Sequence, residues 1–269
     1  MESSFTTPVV RCFAEGNRLV VSDAVAVEEP LEIRVVHRGE RRTVAVTMRT
    51  PGADADLACG FLFTEGAVSE PADIEGVESM ESAIDIHLSH ALQPDWGQMD
   101  RHMFMSSSCG VCGKTALAAV RAHCPAQAPD FPVDPAVLRA LPERLRAAQR
   151  TFHATGGIHA AGWFTPDGTL IDHAEDVGRH NALDKLIGRR FQAGRVPFGE
   201  GILLLSGRAS FELIQKARLA GIGAVAAVGA PSSLAVELAA DGDLLLVGFL
   251  RPERFNVYSG AHRVTPAFA

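Results

Sequence analysis

The sequence is short of several things, and each shortage narrows what the chain can be. Aromatic residues make up 6% of it, with 14 Phe, 2 Trp and 1 Tyr, against 47% hydrophobic residues overall. Such a composition builds an aliphatic core, which suits an α/β fold. No run of about 18 apolar residues occurs, so no helical membrane span is expected. Positive charge is not in excess: 25 Lys and Arg face 32 Asp and Glu, a formal net charge of −7. That balance argues against general nucleic-acid binding. Cysteine is scarce and odd in number, 5 in all, unlike a secreted disulfide scaffold. The opening Met1-Glu2-Ser3-Ser4 lacks the basic and apolar regions of a signal peptide. The expected compartment is the reducing cytoplasm. At 269 residues the chain can bury one large core or two smaller ones.

Two of the cysteines stand in the stretch on which the sequence turns, Ser106-Ser107-Ser108-Cys109-Gly110-Val111-Cys112-Gly113-Lys114-Thr115. A glycine follows each thiol, and a helical pattern over Thr115–Ala122 follows the stretch. A thiol just before a helix N-terminus feels the positive end of the dipole, and Lys114 adds charge; both favour thiolate. Cys109 or Cys112 is therefore a candidate sulfur nucleophile on a loop. Other readings of Cys-x-x-Cys exist. Half a zinc site needs two more ligands, and Cys12, Cys59 and Cys124 are scattered. A thioredoxin-like pair belongs early in a βαβ unit, whereas about a hundred residues precede this one. A P-loop needs glycine where Ser108 stands. Two buried structural cysteines are the plain alternative, against which the flanking glycines and serines argue.

Along the chain, Arg18–Val27, Leu31–His37 and Arg42–Met48 read as antiparallel strands parted by turn signals. Asp54–Thr64 reads as a helix with Asp54 as cap and Gly66 past its end. Ile84–Leu88 reads as a strand, and residues 91–105 as a linker, with a domain boundary near residue 100. Asp134-Pro135 is a cap and first-turn pair, and Pro142 is expected to restart a second helix. Pro166-Asp167-Gly168 marks a hairpin. Gly178–Phe191 has helical spacing. Gly201–Leu205, Ala224–Val228 and Leu244–Phe249 read as strands alternating with helices over Phe211–Leu219 and Ser232–Ala240. That alternation predicts a parallel sheet covered on both faces.

Ligands of such sheets bind beyond the carboxyl ends of the strands. Two loops sit at such ends. Ser206-Gly207-Arg208-Ala209-Ser210 suits an anion such as phosphate, or is an ordinary turn with a solvated arginine. Phe249-Leu250-Arg251-Pro252-Glu253-Arg254 offers two arginines beside aromatics, or is a charged surface loop. Thr155-Gly156-Gly157-Ile158-His159 allows close backbone approach beside a titratable ring. Glu175-Asp176-Val177-Gly178-Arg179-His180-Asn181 packs acid, base, cation and amide together, as a site or a buried polar network does. His173-Ala174-Glu175 matches half of a zinc deaminase motif, but no cysteine follows Cys124 to complete it.

With these segments in view, the chain resembles the formate dehydrogenase accessory sulfurtransferases, the FdhD/NarQ family. The matching stretches are Leu57-Ala58-Cys59-Gly60-Phe61-Leu62, Ser108 to Lys114, Thr155 to His159, Glu175 to Lys185, Ser206 to Glu212, Ala230 to Ala235 and Phe255-Asn256-Val257-Tyr258. The resemblance implies an α/β fold: a cytidine-deaminase-like three-layer αβα domain over residues 101–269, without zinc chemistry or any structural metal, after a smaller α+β domain over residues 1–100. It implies a homodimer. It also implies that sulfur is taken from a cysteine desulfurase and passed to the molybdenum or tungsten bis(molybdopterin guanine dinucleotide) cofactor of formate dehydrogenase. The family's persulfide carrier falls on Cys109, with Cys112 as its partner, and its cofactor-binding segment falls on Phe249, Leu250, Arg251, Pro252, Glu253 and Arg254. Ser206, Gly207 and Arg208 are expected on the cofactor's phosphates, and His159, Asp176 and His180 near its metal end. Two alternatives of other classes stand beside this: a chaperone that only binds the cofactor, and a thiol–disulfide oxidoreductase.

Overall fold

The computed structural model describes residues 2–94, 96 and 129–265. Cys109, Cys112 and Cys124 lie outside the described residues, as do the helix expected over Thr115–Ala122 and the boundary expected near residue 100.

The chain opens with a two-stranded antiparallel ribbon, β1 (Ser4–Cys12) and β2 (Arg18–Ala26). A four-stranded sheet follows, built from β3 (Glu29–His37), β4 (Glu40–Arg49), β5 (Ile74–Ser79) and β6 (Ala83–Leu88) in the order β4-β3-β6-β5. Alternation sets its inner face: Leu31, Ile33 and Val35 of β3 and Ile84 and Ile86 of β6 are buried. They pack against Leu57, Ala58 and Leu62 of α1 (Asp54–Thr64). Asp54 does not cap this helix. The cap position is Ala53, in the left-handed region at φ 55°. The Asp54 carboxylate instead takes both Nε and Nη2 of buried Arg49, at 3.0 and 3.1 Å, and a charged bidentate pair outweighs a cap.

The second sheet has six strands in the order β12-β11-β10-β9-β7-β8. They are β7 (His159–Phe164), β8 (Leu170–Asp176), β9 (Gly199–Leu205), β10 (Ile222–Ala227), β11 (Leu245–Gly248) and β12 (Asn256–Ser259). Only β9, β10 and β11 are parallel to one another; β7, β8 and β12 run antiparallel to their neighbours. The expected parallel sheet is thus a mixed one, because the hairpin at Pro166-Asp167-Gly168 adds strands that no helix separates.

Both faces are covered. Leu203, Leu205, Val225 and Leu246 meet α4 (Arg179–Gln192), α5 (Phe211–Leu219) and α6 (Ser233–Asp241) on one face. On the other, Leu204, Ala224, Ala226 and Val247 meet Leu138, Leu141 and Leu145 of α2 (Pro135–Ala148). Helix α2 starts as expected, with the Asp134 carboxylate accepting from Ala136 N at 2.7 Å. It does not restart at Pro142, which sits inside it. An interior proline costs about 3 kcal/mol, and burial of three leucines at about 1.5–3 kcal/mol each is enough to hold the helix through it. A short helix, α3 (Arg150–Thr155), leads into β7.

The two sheets are joined through their helices. Helix α1 crosses α4 so closely that Gly60 faces the Asp184 carbonyl and Gly188 faces that of Asp56. Beside this crossing Lys216 is buried with Asp184, donating to both its oxygens at 3.0 Å and to Thr64 Oγ1 at 2.7 Å. Burial alone would lower the Lys216 pKa, yet the carboxylates of Asp184 and Glu65 carry it upward, so the ammonium stays charged.

Candidate functional site

The parallel strands β9, β10 and β11 end side by side, and their following loops form one rim. Backbone hydrogen bonds tie the loops together. Gly229 N donates to Gly207 O at 2.8 Å, Phe249 N to Gly229 O at 3.0 Å, and Ala209 N to Ala230 O at 3.1 Å. Glycine is required at 229, where a Cβ would stand 2.9 Å from the Arg208 backbone. Phe249 holds a left-handed φ of 50° and is 44% exposed. A non-glycine residue in that region is strained and persists where the surroundings impose it, as at binding sites.

Because β7 runs opposite to β9, its first residue, His159, comes to the same end of the sheet. Gly207 passes beside the His159 ring, where a Cβ would lie 3.2 Å from Cε1. The end of β8 brings Asp176 there, and α4 starts there with Arg179 and His180. The structure therefore gathers Ser206, Gly207, Arg208, His159, Asp176, His180 and the 249–254 segment along one edge. Three inter-strand steps, or about 14 Å, part His159 from Phe249.

Arg179, Arg208 and His180 stand at this edge, beside the carboxylates of Asp176 and Glu212. Helix α4 has no side-chain cap at Gly178 and no acid in its first turn, where Arg179 and His180 stand. A helix N-terminus flanked by cations and free N–H groups is a place for an anion. Arg208 is exposed and makes no ion pair among the described residues. Burial, then the charges of Arg179 and His180, lower the pKa of His159, so its ring is neutral at pH 7. His180 Nε2 lies 3.2 Å from Ser210 Oγ and 3.7 Å from Glu212 Oε2. That neighbouring imidazole holds the Glu212 carboxyl down at about 2. The sequence offered Ser210 in the candidate anion loop and Glu212 in a family-matching stretch, but not their link to His180, which depends on α4 and α5 starting side by side.

Asp176 has a different place from the rest. It is fully buried, with Oδ2 2.7 Å from Lys185 Nζ and accepting from Thr50 N at 3.1 Å. Its Oδ1 accepts from Gly178 N at 2.8 Å and Asn181 Nδ2 at 3.1 Å. With its carboxylate so engaged, Asp176 fixes the turn into α4 from beneath and ties it to the end of β4. Glu175 is likewise engaged, accepting from Thr151 N and Phe152 N at the start of α3.

The 249–254 segment divides. Arg251 Nη1 donates to Val228 O and Leu250 O, each at 2.8 Å, which spends that guanidinium on holding the rim. Leu250 is buried in the core. Glu253 and Arg254 turn toward an open groove of about 420 Å3 that Arg139 and Phe255 also line.

The FdhD/NarQ family model matches residues 26–265. Sulfur carrier protein FdhD of Streptomyces coelicolor is 49% identical over 255 residues, covering 90% of this chain and 89% of that protein. The protein of the same name from Mycobacterium tuberculosis is 46% identical over 276 residues, covering 95% and 97%. A crystal structure from Desulfotalea psychrophila, described as a formate dehydrogenase accessory protein, matches with a TM-score of 0.77 over 98% of this chain and 100% of that one, at 23% identity.

Proposed function

Since the chain belongs to the FdhD/NarQ family, we propose that it is a sulfur carrier serving formate dehydrogenase. The observation that carries this is the match over residues 26–265, which takes in Cys109 and Cys112, together with relatives named as sulfur carriers along most of their length. The donor is a cysteine desulfurase bearing a persulfide. The Cys109 thiolate attacks the outer sulfur of that persulfide; a new S–S bond forms, the donor's S–S bond breaks, and the donor cysteine leaves as thiolate. Delivery of the sulfur as sulfide needs two electrons. Attack of the Cys112 thiolate on Sγ of Cys109 supplies them, releasing sulfide and leaving a Cys109–Cys112 disulfide for a cellular dithiol to reduce.

The acceptor is the bis(molybdopterin guanine dinucleotide) cofactor, with molybdenum or tungsten, as substrate. Its phosphates suit the cationic rim of Ser206, Gly207 and Arg208 and the α4 N-terminus. Exposed Phe249 offers a face for stacking, and His159 and His180, on the same edge, would face the metal end. Asp176 keeps that turn in place. The same reading divides the chain into an α+β part over residues 1–100 and a cytidine-deaminase-like part over 101–269, working as a cytoplasmic homodimer.

The test is complementation. Cells lacking this gene are given wild type, Cys109→Ala or Arg208→Glu, and formate dehydrogenase activity is read alongside cofactor binding by the purified protein. Loss of activity with binding retained in Cys109→Ala, and loss of both in Arg208→Glu, is the expected pattern. Full activity in Cys109→Ala would favour the chaperone that binds without transferring sulfur.

A further inference from the structure

Residues 4–26 form an arm. β1 and β2 pair without a break from Ser4↔Ala26 to Cys12↔Arg18. Their turn is closed by Phe13 N donating to Asn17 O at 2.9 Å and Gly16 N to Phe13 O at 3.0 Å. The root touches α3, where Ser3 Oγ and Thr151 Oγ1 are 3.2 Å apart. Among the described residues, none from 2–26 belongs to any of the three hydrophobic cores. All of the arm but Ala26 precedes the residues matched to the family, 26–265.

Large apolar side chains are open to solvent on both faces, while Val9 and Val21 are half-buried. The register puts Phe5, Val25 and Leu19 on one face, at 60%, 43% and 56% exposure, and Val10 and Val20 on the other, at 59% and 76%. A two-stranded ribbon by itself is marginal in water and gains stability when its faces are covered. Apolar surface exposed in this quantity marks a contact site.

We infer that this arm is exchanged between two copies of the chain, each arm lying against the other copy with both faces buried. This rests on the homodimer reading above and assigns its surface. Area favours a second copy over a different protein. Nine residues per strand and two strands give an arm about 30 Å long and roughly 10 Å wide, or roughly 600 Å2 over both faces. One arm docked on an unrelated protein would bury less than the ~800 Å2 per partner of a specific interface. Two arms exchanged reciprocally bury that area twice on each copy, once on its own arm and once where it receives the other, roughly 1,200 Å2. A two-fold axis generates both contacts from one surface pair.

The experiment uses the full chain in sedimentation velocity across a concentration series, wild type beside Val10→Asp/Val20→Asp. Wild type is expected as a dimer, and the double variant with its dissociation constant raised on the order of 100-fold and an unchanged circular-dichroism spectrum. A double variant that dimerises like wild type would overturn the arm's role while leaving the homodimer standing. A monomeric wild type would overturn both. Photocrosslinking from p-benzoylphenylalanine at position 20 does not depend on that variant folding. Cross-links joining two copies are expected, and cross-links confined to one chain would refute the exchange.

Discussion

Gly60 and Gly188 meet backbone to backbone where α1 crosses α4. A Cβ on Gly60 would lie 1.9 Å from the Asp184 carbonyl oxygen, and one on Gly188 1.9 Å from that of Asp56. The obstructing atoms are main chain and cannot rotate away, so either glycine changed to alanine must spread the two helices. Gly60→Ala is expected to cost at least about 3 kcal/mol. The check is the urea midpoint at constant m-value; a loss under about 0.5 kcal/mol would show that the crossing has slack.

Lys216 and Asp184 are expected to behave as a unit. Lys216→Met leaves the Asp184 carboxylate buried without its cation, and the expected loss is about 3–5 kcal/mol. Replacing both, as Lys216→Met/Asp184→Leu, removes the stranded charge and should recover much of that stability. A double-mutant cycle in denaturant measures the coupling. Additive losses would mean that the pair is not energetically linked.

His159 should titrate below the ordinary imidazole value of 6.5, because burial and then the charges of Arg179 and His180 disfavour its protonated form. A base with a depressed folded pKa favours the folded state fully above pH 6.5, and that contribution is lost as pH falls from there through the folded value. The midpoint is read by NMR titration of the ring. In Arg179→Met it should move upward; an unmoved midpoint would remove Arg179 as a cause.

Cys59 should be chemically silent. Burial, reinforced by the Asp56 carboxylate, pushes its thiol up to about 12, so almost no thiolate exists at neutral pH. Iodoacetamide should modify exposed Cys12 in the native protein and reach Cys59 only after denaturation. Modification of native Cys59 at a rate like that of Cys12 would contradict its placement in the core.

Local chemistry made much of this legible in the sequence. Asp134-Pro135 starts α2, Pro166-Asp167-Gly168 turns the β7–β8 hairpin, and Phe211–Leu219 is a helix at the residues expected. Strand β1 escaped because its alternation serves no core: both faces are open, so apolar and polar residues follow no burial pattern. Pro142 misled because tertiary burial of Leu138, Leu141 and Leu145 overrides a local breaker. In the site, the glycine and histidine stretches announced themselves by composition. The burial of Asp176 beneath Lys185, and the meeting of His180 with Glu212, depend on how two sheets and two helix starts come together, which no local pattern encodes.

The most direct measurement is the intact mass of the protein after incubation with a cysteine desulfurase and cysteine, for wild type, Cys109→Ala and Cys112→Ala. A gain of one sulfur atom, about 32 Da, is expected in wild type and in Cys112→Ala but not in Cys109→Ala. No gain in wild type, with the desulfurase shown to be active, would contradict the sulfur-carrier role.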